Sequence, residues 1–109
     1  MKGYMFGLLY MESWEWYEEY YPATVKLIEE HGGIYLASGV KPKMLEGDKE
    51  PSAYVLLEFP DLASANNWYE DPKYKPLIDL RTSGGRSEIY IFPGVAPQPN
   101  EIQKKIIND

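Results

Sequence analysis

A chain of 109 residues has room for one domain with a modest core, and not for two. Its net charge is −6, and its 11 Lys and Arg are scattered, with only Lys104 and Lys105 adjacent. That excludes the clustered basic surface that nucleic acid or an anionic membrane requires. The absence of Cys removes disulfides, a thiolate nucleophile and any Cys-based zinc site.

A hydrophobic content of 44% with 26% charged residues is that of a folded protein, and a cytoplasmic location is expected. The outlier is aromatic: 10 Tyr and 3 Trp, side chains that suit pocket walls and interfaces that are not fully dry. The opening "MKGYMFGLLYMESWEW" carries one Lys and a short apolar run that soon meets Glu12 and Glu15. Lacking a small-residue cleavage site, it reads as a strand and not as a signal peptide. No apolar run approaches the roughly 20 residues that span a bilayer.

Gly3 to Tyr10 is the first strand. Ser13 is placed to cap a helix from Trp14 to His31, with Glu15 in the first turn where a carboxylate suits the helix dipole. Tyr17, Tyr21, Val25 and Ile28 recur at helical spacing and form the expected inner stripe. Pro22 is expected to kink or restart this helix. "EEHGG" ends it, with Gly32 or Gly33 as a left-handed cap.

Ile34 to Val40 is the second strand, and "KPKMLEGDKEPS" a loop or wide hairpin. Tyr54 to Phe59 is the third strand. Asp61 caps a second helix through Leu62, Ala65, Trp68 and Tyr69, which "EDP" breaks. Asp71-Pro72 then starts a continuation through Tyr74, Leu77, Ile78 and Leu80. "TSGGRS" reads as a turn and Glu88 to Phe92 as the fourth strand. The domain is expected to close near residue 95, leaving 96–109 as a tail with a short helix bearing Ile102 and Ile106.

The order strand, helix, strand, strand, helix, strand is that of an α+β, ferredoxin-like split βαβ: an antiparallel sheet with its helices on one face. Such a sheet should alternate apolar and polar residues, because its other face meets water. These strands do not. Met5 and Leu9 oppose Tyr4, Phe6, Leu8 and Tyr10; Val55, Leu57 and Phe59 oppose Tyr54, Leu56 and Glu58. The helices cover one face only, so a second copy of the chain is expected on the other, in a two-fold homodimer. The alternative is that the tail helix covers it.

Several stretches resemble the domain-of-unknown-function family 1330 (DUF1330) of the dimeric α/β-barrel superfamily. They are "KGY", "HGGIYLASG", "MLEGDKEPS", "EFPDLASANNWYEDPKYKPLIDLR" and "IFPG", spread over residues 2 to about 94. The resemblance implies a ferredoxin-like subunit that pairs sheet to sheet. It implies no reaction, since relatives on this architecture include cofactor-independent monooxygenases, muconolactone isomerases and chlorite dismutases. Ser38 and Ala53 stand where members of the family often carry arginines, which puts any anion binding by those two positions in doubt.

Glu58 is the first candidate for chemistry. It is either a general base of raised pKa at the edge of a cavity, or a structural acid held by Tyr, Trp or backbone donors or by Arg81. The structural role is favoured. His31, the only histidine, reads as a helix-capping residue and, secondarily, as a catalytic one. Trp68, Tyr69 and Tyr74 cluster around the Asp71-Pro72 break and are candidates for the wall of a pocket between helix and sheet. Arg81 is the candidate anchor for a carboxylate ligand, or the partner of Glu58 or Asp79.

No metal-ligand spacing, nucleotide-binding glycine motif or serine elbow is present. A dimer with a pocket for a small aromatic or aliphatic molecule is expected, without a cofactor. If it is an enzyme, the class is proton transfer, isomerisation or oxygenation; the alternative is a non-catalytic module that binds a metabolite or a protein.

Overall fold

The first strand of the chain becomes a central strand of the sheet. In the computed structural model, which describes residues 1–96 and 104–105, β1 (Gly3–Met11) lies between β3 (Ala53–Phe59) and β4 (Gly85–Pro93). β2 (Ile34–Val40) forms the edge beyond β3, so the order is β2-β3-β1-β4 with every neighbour antiparallel. The helices are α1 (Tyr17–Glu30), α2 (Leu62–Glu70) and α3 (Lys75–Gly84). This is the expected ferredoxin-like order, with the second helix divided in two.

Strand parity decides which side faces the helices. Met5, Leu57 and Phe59 bury themselves among Leu27 and Ile28 of α1, Ala65 and Trp68 of α2, and Tyr74 and Leu77 at α3. Removing an Ile28 or a Leu57 side chain from water contributes about 1.5–3 kcal/mol each. A smaller cluster of Leu9, Trp16 and Ala53 continues the core towards the N-terminus of α1.

The other parity makes a face that is uncovered among the described residues. Along β1, Tyr4 lies between Glu58 and Phe92, Phe6 between Leu56 and Tyr90, and Leu8 between Tyr54 and Glu88. All of these residues are half-buried or exposed, Tyr90 to 55%, and none joins a core cluster. The rows end in polar contacts. Tyr4 donates to Glu58 at 3.1 Å with Lys2 beside it, and Tyr10 donates to Glu88 at 2.7 Å beneath the Arg86 guanidinium. An apolar centre with a charged rim is the make-up of a protein interface. Of the tail helix that was the alternative cover, only Lys104 and Lys105 are described, helical and exposed; Ile102 and Ile106 lie outside the described residues.

Four local expectations change. First, α1 runs unbroken through Pro22. Second, the inward stripe is Trp16 at the N-cap, half-buried Tyr20, and buried Thr24, Leu27 and Ile28; of the expected stripe Ile28 is buried and Val25 half-buried, while Tyr17 and Tyr21 are 41% and 39% exposed. Third, Ser13 does not cap the helix; its hydroxyl accepts from the Glu15 N–H at 3.3 Å, one turn earlier, and the N-cap position is Trp16.

Fourth, "TSGGRS" holds no loop: α3 ends at Gly84 and β4 begins at Gly85. The two glycines permit this. A Cβ on Gly84 would strike Trp16 and the Ser13 carbonyl, while Gly85 has φ +157° and passes against the Tyr10 carbonyl. Other expectations hold. Gly32, at φ +76°, is the left-handed cap after α1, and Asp61 caps α2 by accepting from the Ser64 N–H at 2.7 Å.

Candidate functional site

Between α1 and the helix-facing side of the sheet lies a cavity of about 490 Å³. That is ample for a small organic molecule. Its floor is made by Met5, Leu9, Val55, Leu57 and Ile89, which the strand parity turns inward. Trp16, Tyr20, Thr24 and Ile28 of the inner stripe form one wall, and Trp68, Tyr74 and Arg81 the deep end.

Aromatic rings ring the mouth. Trp14 meets Tyr17 edge-on at 5.9 Å, Tyr17 meets Tyr21 at 5.4 Å, and Tyr21 stacks on Tyr35 at 6.0 Å. Glu18 is the one carboxylate among the described lining residues, and it is exposed.

The deep end is polar chemistry set in an apolar wall. Tyr20 and Tyr74 share one hydrogen bond of 2.6 Å between their hydroxyls. Burial holds the Tyr74 hydroxyl well above the ordinary tyrosine value, so it is neutral at physiological pH. Burial does the same to Tyr35 near the mouth.

Arg81 is only 4% exposed, and its guanidinium lies against the Tyr74 and Tyr20 hydroxyls. It takes part in none of the ion pairs among the described residues. Its Nε, Trp68 Nε1 and Thr24 Oγ1 are buried without a hydrogen-bond partner there.

The structure therefore brings together Trp68, Tyr74 and Arg81 of the sequence-derived candidates. Tyr69 packs edge-on against Trp68 and Tyr74, supporting the wall from behind. Glu58 and His31 lie elsewhere. Glu58 has the parity of Tyr4 and Leu56, so its carboxylate is on the uncovered face, opposite both the cavity and Arg81. Neither the cavity-edge base nor the Glu58–Arg81 pair forms, and Arg81 does not pair with Asp79, which binds Lys75.

His31 follows α1 and is not among the cavity-lining residues; its Nε2 meets Asp71 Oδ2 at 2.9 Å. With Lys73 donating to Glu30 at 2.8 Å, this pair ties the end of α1 to the α2–α3 junction. Among the described residues no group of three His, Asp or Glu could hold a metal ion, and no helix is long and apolar enough to cross a membrane.

The His31–Asp71 contact carries a pH signature. The His31 ring, the Lys73 backbone N–H and the nearby Lys73 charge hold the Asp71 carboxyl below its ordinary value. A carboxyl depressed in the folded state adds stability above its unfolded pKa of about 3.9, and that increment fades as pH falls through the folded value. Asp71→Asn is therefore expected to be less stable than the parent near neutral pH. The gap should close in acid, as read by urea titrations across the acid range. A gap that stays constant down to about pH 2 would remove the carboxylate from the account.

Three wall residues of the site escaped notice in the sequence: Trp16, Tyr20 and Thr24. The spacing Trp16–Tyr20–Thr24–Leu27/Ile28 was the available signal, masked because Thr reads as polar.

Solved structures with this fold were found by comparison. A protein of unknown function from Rhodopseudomonas palustris is 20% identical, with a TM-score of 0.72 over 88% of this chain and 84% of that one. SnoaB, a cofactor-independent oxygenase from Streptomyces nogalater, is 15% identical, with a TM-score of 0.62 over 89% and 94% of the two chains. A dimeric ferredoxin-like protein of unknown function from Thermobifida fusca is 13% identical, with a TM-score of 0.59 over 85% and 91%.

At such identities the likeness establishes the fold alone. None of the curated proteins matches the chain. Residues 2–95, which contain every strand and helix named above, match the sequence profile of the family described as Domain of unknown function (DUF1330), and the chain belongs to that family.

Proposed function

We propose that the protein is a homodimer, joined through the uncovered sheet faces, in which each subunit holds one small, largely aromatic molecule in its cavity. One observation carries the ligand: an aromatic-walled space of about 490 Å³ with buried polar groups at its deep end that have no hydrogen-bond partner among the described residues. The dimer is supported by the apolar centre and polar rim of the uncovered face, and by neighbours on this fold described as dimeric.

The accompanying chemistry is cofactor-free proton transfer on the bound molecule, of the isomerase or oxygenase kind. Solvent water entering from the mouth would take the C–H proton beside a carbonyl of the bound molecule, while the Tyr74 hydroxyl hydrogen-bonds to the carbonyl oxygen and Arg81 stabilises the enolate that forms. SnoaB, described as a cofactor-independent oxygenase, shares the fold and supports this class.

A second reading, a non-catalytic binding module, is favoured by a specific gap. Among the described residues the only carboxylate lining the cavity is the exposed Glu18, and Glu58 and His31 stand away from it, so these residues supply no base at the deep end. The test uses 2-tetralone, an aromatic ketone with exchangeable C–H bonds. Saturable quenching of tryptophan fluorescence is expected on titration. Exchange in D₂O, followed by NMR, is expected to run faster with the parent than with Tyr74→Phe. Binding without accelerated exchange selects the module; no binding overturns the pocket.

A further inference from the structure

The deep end of the cavity is unbalanced in its hydrogen-bonding groups. Arg81 offers only donors, and so does the indole N–H of Trp68. In the Tyr20–Tyr74 pair one hydroxyl spends its proton on the other, which leaves the accepting hydroxyl with a proton of its own to place. The Arg81 guanidinium lies against both oxygens and can only donate to them. Thr24 adds a further hydroxyl without a partner.

The inventory is a positive charge and several N–H and O–H donors, with no anionic acceptor facing them among the described residues. A buried guanidinium without a counter-ion is costly, and a protein of net charge −6 has carboxylates to spare for pairing it. Glu58 is on the wrong face, and Asp79 is bound to Lys75 in solvent.

We propose that this cavity takes a flat aromatic acid, whose carboxylate seats on the planar fork of Arg81 and accepts from the free tyrosine hydroxyl, while its rings lie among Trp16, Tyr20 and Trp68. The proposal rests on the cavity being a small-molecule site. A carboxylate matches the guanidinium with two parallel bonds, which a phenolate with one oxygen cannot make. The apolar floor of Leu9, Val55 and Ile89 and the rings around it accept a fused ring system and exclude water from the ion pair, which strengthens it. Glu18, exposed at the mouth, repels a carboxylate that enters the wrong way round. The acid is thereby oriented with its charge inward.

The test compares 2-naphthoate, the isosteric but uncharged 2-naphthamide, and 2-naphthol at a pH above its pKa, by calorimetry on the intact chain. The parent is expected to bind naphthoate at least tenfold more tightly than naphthamide, with naphtholate in between. Arg81→Lys should shrink that preference and Arg81→Gln abolish it, with naphthoate affinity falling at least tenfold further than naphthamide affinity. Arg81→Met should lose the preference without losing thermal stability, because an unpaired buried charge has been removed; a purely structural arginine would give a lower Tm instead.

Equal binding of acid and amide by the parent would leave the pocket standing and overturn the anion proposal, whether or not any variant folds. Tighter binding of naphtholate than of naphthoate would overturn the carboxylate assignment. Binding of none of the three would overturn the pocket together with its proposed ligand.

Discussion

Phe6→Lys is expected to convert the protein into a folded monomer, with the 12.6 kDa mass of one chain by light scattering, where the parent is expected to show twice that mass. Phe6 sits at the middle of a central strand, flanked across the sheet by Leu56 and Tyr90. Covered by a second copy, an ammonium there would be buried with no counter-charge in its row, at several kcal/mol per charge. A two-fold interface counts the substitution twice.

At about 1.4 kcal/mol per tenfold change, the dissociation constant should rise by a factor of roughly a thousand or more. Folding of the single chain should be nearly untouched, because Phe6 is outside both core clusters and a lysine on an open sheet face can reach water. A parent protein that is itself monomeric at micromolar concentration would refute the dimer and point to another cover for this face.

Trp68→Ala should produce the largest loss of stability. Trp68 is fully buried, with ring centroids of Phe59 at 5.5 Å, Tyr69 at 5.9 Å and Tyr74 at 4.5 Å. Truncating a core tryptophan costs about 3–5 kcal/mol, set against a typical total of about 5–15 kcal/mol. A fall in Tm of more than about 10 °C follows. Trp68→Phe keeps most of the volume and should cost much less. Both values come from urea or thermal melts, and a loss below about 1 kcal/mol for the alanine variant would mean that Trp68 is not a core residue.

The element order was legible because strand parity and the two helix breakers, Gly32 and the "EDP" tripeptide, are local signals. Parity also sorted Tyr54, Leu56 and Glu58 from Val55, Leu57 and Phe59. What it cannot say is which set meets the helices. Both sets are largely apolar, so Glu58 was free to be imagined on either side. The deciding contacts, such as Phe59 against Trp68, are long-range.

The helix face slipped for a related reason. Tyr17 and Tyr21 are as hydrophobic as Tyr20, and Thr24 counts against the true stripe, although it lines the cavity and its buried hydroxyl has no partner among the described residues. Trp68, Tyr74 and Arg81 were found because aromatics and an arginine around a helix break are conspicuous. Tyr20, the partner that gives Tyr74 its hydrogen bond, needed the fold.

The junction at Gly84–Gly85 has a mechanical meaning. With no slack between α3 and β4, nothing can absorb an added or deleted residue. One inserted residue would swap the sides of Tyr90 and Phe92, carrying them off the outer surface, and would swing Arg81 about the helix axis by roughly a quarter turn or more if the slip ran the other way. Length changes at that seam should therefore damage both surfaces together, whereas the long connection between β2 and β3 should tolerate them.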